Sequence, residues 1–343
     1  MVSRSAEALS PGGLVWVLAD DRSGNVSQCL GVAEALTVPF TVKTVRYTAL
    51  AGLPNALRGA SRLGIDPATR RALTPPWPSF VIAAGRRTAP LARWIKRKCG
   101  ARLIQIMDPG WPGHRDFDLI AVPNHDGPMP AASNLLRVTG APHRVTPERL
   151  GAEKAKWWER IAAFPVPRIA LIVGGATKTH PFTVDSARRL ARQAAEMARR
   201  SGGSLLVTTS RRTGKAAETA LLSELPEPRW VYRWDEGGEN PYFAFLAAAD
   251  AIVVTGDSVS MCCEACATAA PVFIHAPEGS VADKHAALHQ ELYKLGLARP
   301  LNGKLESWTH PPLNAADTVA AEIRRRFGTE LDGASPAGGR GIG

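Results

Sequence analysis

Residues 251–266 read AIVVTGDSVSMCCEAC. An apolar run breaks at Gly256-Asp257-Ser258, and a helix start follows with one carboxylate, Glu264, in its early part. Open N–H groups at a helix N-terminus, with the hydroxyls of Ser258 and Ser260, suit an anionic diphosphate. Glu264 at the same end could accept hydrogen bonds from a ribose diol. The same residues also fit an ordinary strand–helix junction with Ser258 as N-cap.

The arrangement recurs. FVIAA (80–84) runs into Gly85-Arg86-Arg87-Thr88, RIALIV (168–173) into Gly174-Gly175-Ala176-Thr177, and SLLVTT (204–209) into Ser210-Arg211-Arg212-Thr213. Each places a small residue, a hydroxyl or a basic pair past a strand's carboxyl end, where open parallel sheets bind ligands. Arg211 and Arg212 offer guanidinium forks for phosphate or carboxylate oxygens, or else form a solvated helix start. Gly174 and Gly175 allow close approach of backbone to a ligand, or simply turn the chain. Asn240 precedes Pro241 and fits either a nucleobase loop or an N-cap. After the first apolar run come Asp20, Asp21, Arg22, Gly24, Asn25 and Gln28. Asp20 or Asp21 could act as general base on a hydroxyl, and each equally suits turn chemistry. Arg86, Arg87 and Thr88 suit a second anion, and His125-Asp126 either orients a reactant or is structural. No Walker loop, G-x-G-x-x-G, G-x-S-x-G or H-E-x-x-H occurs, so hydrolase and metalloprotease readings lapse and a dinucleotide-reducing one has little support.

The elements that must position these residues are legible in outline. Apolar runs at 14–18, 40–45, 80–84, 102–106, 118–122 and 134–138, then 168–173, 204–209, 229–233, 251–255 and 271–275, alternate with helical stretches such as 183–200. Continuous Val- and Ile-rich runs suit parallel strands covered on both faces, and the alternation predicts an α/β fold. Prolines 142, 147, 165 and 167 punctuate a boundary, giving two Rossmann-like halves with a ligand cleft between them. The expected division is 1–147, 148–314, a C-terminal helix at 315–330 that returns toward the first half, and a Gly-rich disordered tail at 331–343.

The chain has 343 residues, 45% of them hydrophobic, and a formal charge of +11. No apolar run approaches the ~20 residues that span a bilayer, and the opening MVSRSAEALSPGG has no signal-peptide core. A cytoplasmic protein is expected. Its basic charge permits an anionic membrane surface or an acidic glycan as partner, and no RNA- or DNA-binding signature accompanies it. The five cysteines are expected to be buried small hydrophobes rather than metal ligands.

With these segments in hand, the chain resembles bacterial relatives of the plant mitochondrial fission factor ELM1, a family also described as glycosyltransferases. The resemblance rests on D-x-R-S-G-N-x-x-Q (20–28), W-P-S-F-V-I-A-A-G-R-R-T-A-P (77–90), F-D-L-I-A-V-P-N-H-D (117–126), S-R-R-T (210–213), N-P-Y (240–242) and G-D-S-V-S-M-x-x-E-A (256–265). Ala269-Ala270-Pro271 departs from the family's usual Gly before Pro.

The resemblance implies a GT-B-like layout, with a nucleotide sugar on the second half and an acceptor on the first. Nucleotide contacts then fall to Gly174, Gly175, Ser210, Arg211, Arg212, Asn240, Asp257, Ser258, Ser260 and Glu264. Acceptor contacts fall to Arg22, Gly24, Asn25, Gln28, Arg86, Arg87, Thr88 and His125. Asp20, Asp21 and Arg211 would carry the chemistry, with Arg211 binding the charge that grows on the leaving nucleotide. No cofactor or metal enters this scheme. The acceptor is expected to be acidic, lipid-linked or an envelope glycan, met at the inner face of the cytoplasmic membrane. A non-catalytic interaction protein and a nucleotide-sugar epimerase remain the alternatives.

Overall fold

A computed structural model describes residues 15–332. Leu14, the opening segment and 333–343 of the expected tail lie outside the described residues. The chain divides into two compact units. Unit 1 is 15–123, 128–138 and 315–332 of the described residues, and unit 2 is 124–127 and 139–314.

Unit 1 carries six parallel strands: β1 Val15–Ala19, β2 Phe40–Thr44, β3 Phe80–Ala84, β4 Arg102–Ile106, β5 Leu119–Pro123 and β6 Leu135–Val138. Their order is β2-β1-β3-β4-β5-β6. β1, β3 and β5 are buried at every residue, because helices cover both faces. Successive side chains split between the two layers. Val15 and Val17 join one core, and Trp16 and Leu18 join the other. The helices here are α1 Ser23–Ala35, the short α2 Asn55–Arg58 and α3 Pro67–Ala72, and α4 Gly85–Cys99.

Unit 2 repeats the plan with β7 Arg168–Ile172, β8 Ser204–Thr208, β9 Arg229–Tyr232, β10 Ala251–Thr255, β11 Val272–His275 and β12 Arg299–Pro300. Its order is β12-β11-β10-β7-β8-β9, again all parallel. The helices are α5 Pro147–Ile161, α6 Val184–Ser201, α7 Lys215–Glu224, α8 Tyr242–Ala248, α9 Val259–Cys266 and α10 Asp283–Lys294. α6 shows why such segments are helical. Thr183 caps it by accepting from Ser186 N, and Gly202 ends it in the left-handed region. Leu190, Ala191, Ala194, Met197 and Ala198 form its buried stripe.

The last helix, α11 Ala315–Asp332, belongs to unit 1, where it packs on α1. Val319, Ala320, Ile323 and Phe327 enter the core layer that holds Val15, Val17 and Phe80. It takes in residues 331 and 332, which were expected to start the tail. Unit 2 takes in 124–127 and resumes at Thr139, so 124–127 and 139–147, grouped with the first half by sequence, lie in the second unit. Two parallel doubly wound sheets with helices on both faces make the chain α/β with two Rossmann-like domains. Strand order reverses between β1 and β3 in unit 1 and between β7 and β10 in unit 2, and such switch points are where open parallel sheets hold ligands.

Candidate functional site

At the unit 2 switch point, three loops tie to one another. Gly174 N donates to Thr255 Oγ1 at 2.8 Å, and Gly175 N to Asp257 Oδ2 at 3.0 Å. Arg212 Nη1 lies 2.6 Å from the same Oδ2. The hydroxyls of Ser210 and Thr213 each donate to Gly174 O at 2.6 Å. A Cβ on Gly174 would stand 2.4 Å from Asp257 Oδ2, and one on Gly175 would stand 2.0 Å from Arg212 O. These glycines let the three loops pack closely against one another. Asp257 is buried: its Oδ2 takes Gly175 N and Arg212, and its Oδ1 is buried without a hydrogen-bond partner. The cavity beside them, lined by His180, Gly256, Asp257 and His275, is about 30 Å³, room for water rather than a nucleotide. Arg211 remains exposed.

Ser258 is the N-cap of α9, accepting from Met261 N, and both Ser258 and Ser260 are partly exposed at the helix start. Glu264 accepts a 2.6 Å hydrogen bond from Tyr242 Oη at the start of α8. Burial pushes the Glu264 carboxyl above the usual range, while the Tyr242 bond and Arg149 pull the other way. Asn240 Oδ1 accepts from Tyr242 N, fixing the turn that brings this tyrosine in. Arg149 stacks on Phe243 with 4.2 Å to the ring centroid. Tyr242 and Arg149 are the neighbours that sequence reasoning missed, although Tyr242 lay within the quoted N-P-Y.

Cys262, Cys263 and Cys266 are buried, and desolvation raises all three thiols, Cys263 to about 12. His289 packs against Gly256, and burial lowers it to about 4, as it does His275. His125, expected on the acceptor side, is in unit 2: the segment 124–127 packs on α10, where Asn124 Nδ2 donates to Glu291 Oε1 at 2.6 Å. The ring of His125 is buried, and desolvation lowers its pKa.

The unit 1 switch point joins the ends of β1 and β3. Asp20 accepts from Arg22 N at 3.0 Å and from Asn25 Nδ2 at 2.9 Å, which ties its carboxylate to the start of α1. Asp21 is exposed and ion-paired with Arg87 at 2.8 Å. Arg87 also stacks over Tyr47, 4.1 Å from its ring centroid. Thr88 is corrected: it is buried, and its hydroxyl donates to Ala84 O and Gly85 O. Gln28 is also buried, within α1. Gly24 lies in the first turn of α1, and Arg22 and Arg86 are exposed.

One Asp-x-Asp occurs, Asp116-Phe117-Asp118, and it bears on the expectation that no metal takes part. Its carboxylates are held by Arg93, Lys96 and Arg102, at the amino end of β5 rather than at a switch point. Among the described residues no group of three or more His, Cys, Asp or Glu gathers as a metal site, and no helix is long and apolar enough to cross a membrane.

Solved structures place the fold. The chain is similar to UDP-GlcNAc 2-epimerase from Methanocaldococcus jannaschii, with a TM-score of 0.50 and 12% identity over 92% of this chain and 99% of that one. It is also similar to a UDP-glucosyltransferase from Polygonum tinctorium, with a TM-score of 0.51 and 10% identity over 96% of this chain and 94% of that one. Both show a GT-B-like fold and, at that identity, nothing finer. Among relatives, an uncharacterised protein, RP120 of Rickettsia prowazekii, is 30% identical over 90% of this chain and 97% of its own length. The mitochondrial fission protein ELM1 of Arabidopsis thaliana is 30% identical over 73% of this chain, which spans 64% of the plant protein's length. The sequence profile of Mitochondrial fission ELM1 matches residues 23–327, and the chain belongs to that family.

Proposed function

We propose that the chain is a glycosyltransferase that needs no metal. It would move a sugar from a nucleotide-sugar donor on unit 2 to an acidic acceptor on unit 1, lipid-linked or part of an envelope glycan, at the inner face of the cytoplasmic membrane. The observation that carries the reading is α9, which follows β10, with Ser258 as its N-cap, Ser260 in its first turn and a Tyr242-bound Glu264 one turn further along. Helix N–H groups and the exposed Arg211 would bind the charge growing on the departing nucleotide. Glu264, held by Tyr242, would accept from the ribose. Asp21 is the better candidate for the base, since its surface pair with Arg87 costs little to open, about 0–1 kcal/mol.

Thermal shift and calorimetry against UDP, CMP, GDP and their sugar conjugates test this. A bound nucleotide at a hundredfold excess over Kd stabilises by about 2.7 kcal/mol. No stabilisation by any of them would sink the reading. The pairing of Asp257 Oδ2 with Arg212, and of Ser210 with Gly174, favours a second reading, a non-catalytic interaction protein, which predicts that null result.

A further inference from the structure

The carboxyl ends of β1 and β3, with the loop after β2, surround a pocket of about 350 Å³ lined by Arg22, Arg58, Arg86 and Arg87. Arg87 is already neutralised by Asp21. Arg22 and Arg86 are exposed. Arg58, the last residue of α2, is 2% exposed. Its Nε and Nη1 donate to Leu63 O at 3.3 Å and Arg87 O at 3.2 Å, and its Nη2 is buried without a partner. Tyr47 Oη nearby is buried and equally unpartnered. An idle donor on a buried guanidinium is costly unless an anion completes it. Asn55 pins the surrounding loops by donating to Arg86 O and Pro109 O. The fifteen-residue α4 begins at Gly85 with no side-chain cap, so its first N–H groups add positive potential.

We propose that this pocket binds the phosphate or diphosphate group of the acceptor. The word acceptor rests on the glycosyltransferase reading, and the anion rests on the pocket alone. A carboxylate fills one guanidinium fork, whereas a diphosphate has oxygens enough for Arg22, Arg58 and Arg86 together. The pocket also has the volume for it.

Calorimetry of the whole chain with inorganic pyrophosphate at low salt is the test. Wild type should bind, and Arg22→Ala and Arg86→Ala should each weaken binding on the order of tenfold. Arg58→Lys should also weaken it. If that buried variant does not fold by circular dichroism, the exposed double variant R22A/R86A decides. Absent binding in wild type, or equal affinity in R22A/R86A, overturns the proposal. So does loss of pyrophosphate binding in Arg211→Ala, which would place the anion in unit 2. Pyrophosphate binding without nucleotide binding would remove the glycosyltransferase reading and leave the pocket standing. Phosphatidylcholine vesicles with and without a polyprenyl diphosphate separate the sources. Sedimentation with the diphosphate vesicles alone, lost in R22A/R86A, assigns a lipid-linked group. Pyrophosphate binding with no vesicle association assigns a soluble one.

Discussion

Arg212 and Asp257 meet at 2.6 Å across the unit 2 switch point, and the same carboxylate oxygen also takes the Gly175 N–H. Asp257 is buried while Arg212 is about a third exposed, with 35% of its side-chain surface open. The pair thus closes the loops after β7, β8 and β10 into one structure.

Breaking it should cost stability. Asp257→Asn keeps the shape but removes the charge, and it should destabilise by about 1–3 kcal/mol, less than a fully buried pair because water screens Arg212. Urea denaturation of Asp257→Asn, Arg212→Met and the double variant measures the coupling. Additive single effects would show that the two do not act as a pair.

Gly175→Ala should be worse than Gly174→Ala. At 175 the new methyl meets the Arg212 backbone, whereas at 174 it meets the Asp257 side chain, which can give way only by loosening its bonds to Arg212 and Gly175. Losses of several kcal/mol at 175 fit the range for strain at a packed backbone. Melting temperatures in the reverse order would refute the loop-packing role.

Tyr242→Phe removes the hydroxyl that donates to Glu264, and Glu264→Gln removes its charge. Under the proposed function, each should weaken nucleotide binding by about 1–3 kcal/mol. Calorimetry on folded variants gives the answer, and unchanged affinity would return Glu264 to a structural role.

Acid should destabilise the fold well before ordinary carboxylates titrate. His275 and His289 fall from 6.5 to about 4 through burial. Between those values the unfolded chain binds more protons, so stability is lost as pH drops from about 6.5 toward 4. The limit is about 3 kcal/mol for each histidine. Glu264, shifted upward, works in the opposite sense and offsets part of the loss. Chemical denaturation at neutral pH and near pH 4.5 compares wild type with His289→Gln, whose loss should be smaller; equal losses would exclude His289 as a cause.

Geometry rather than charge should matter at Arg211 and Arg86. Lysine keeps the cation but loses the fork, so Arg211→Lys and Arg86→Lys should both impair turnover once a donor and acceptor are found. Full activity in both would favour a merely anionic surface contact.

Much of the fold was legible because its strands are continuous apolar runs. VWVL, FVIAA and AIVVT need no partner to be recognised as buried strands. The two-residue β12 has no period to read, and neither does the four-residue α2 that carries Arg58. The candidate site was legible as a set of residue types past strand ends, not as roles. Asp257 finds Gly175 82 positions away, and His125 joins α10 through a glutamate 167 positions from Asn124. Such pairings are fixed by sheet order, which local pattern does not encode.

The placement of α11 orders events during synthesis. Its Val319, Ile323 and Phe327 complete a core begun by Val15 and Val17. A ribosome delivers all of unit 2 before that helix emerges, so the amino-terminal sheet keeps one greasy face uncovered while the later domain can already close. Domains usually mature from the amino end onward. Here the first to be made is the last to be finished, and a nascent chain stalled before residue 315 would be a natural client for a chaperone.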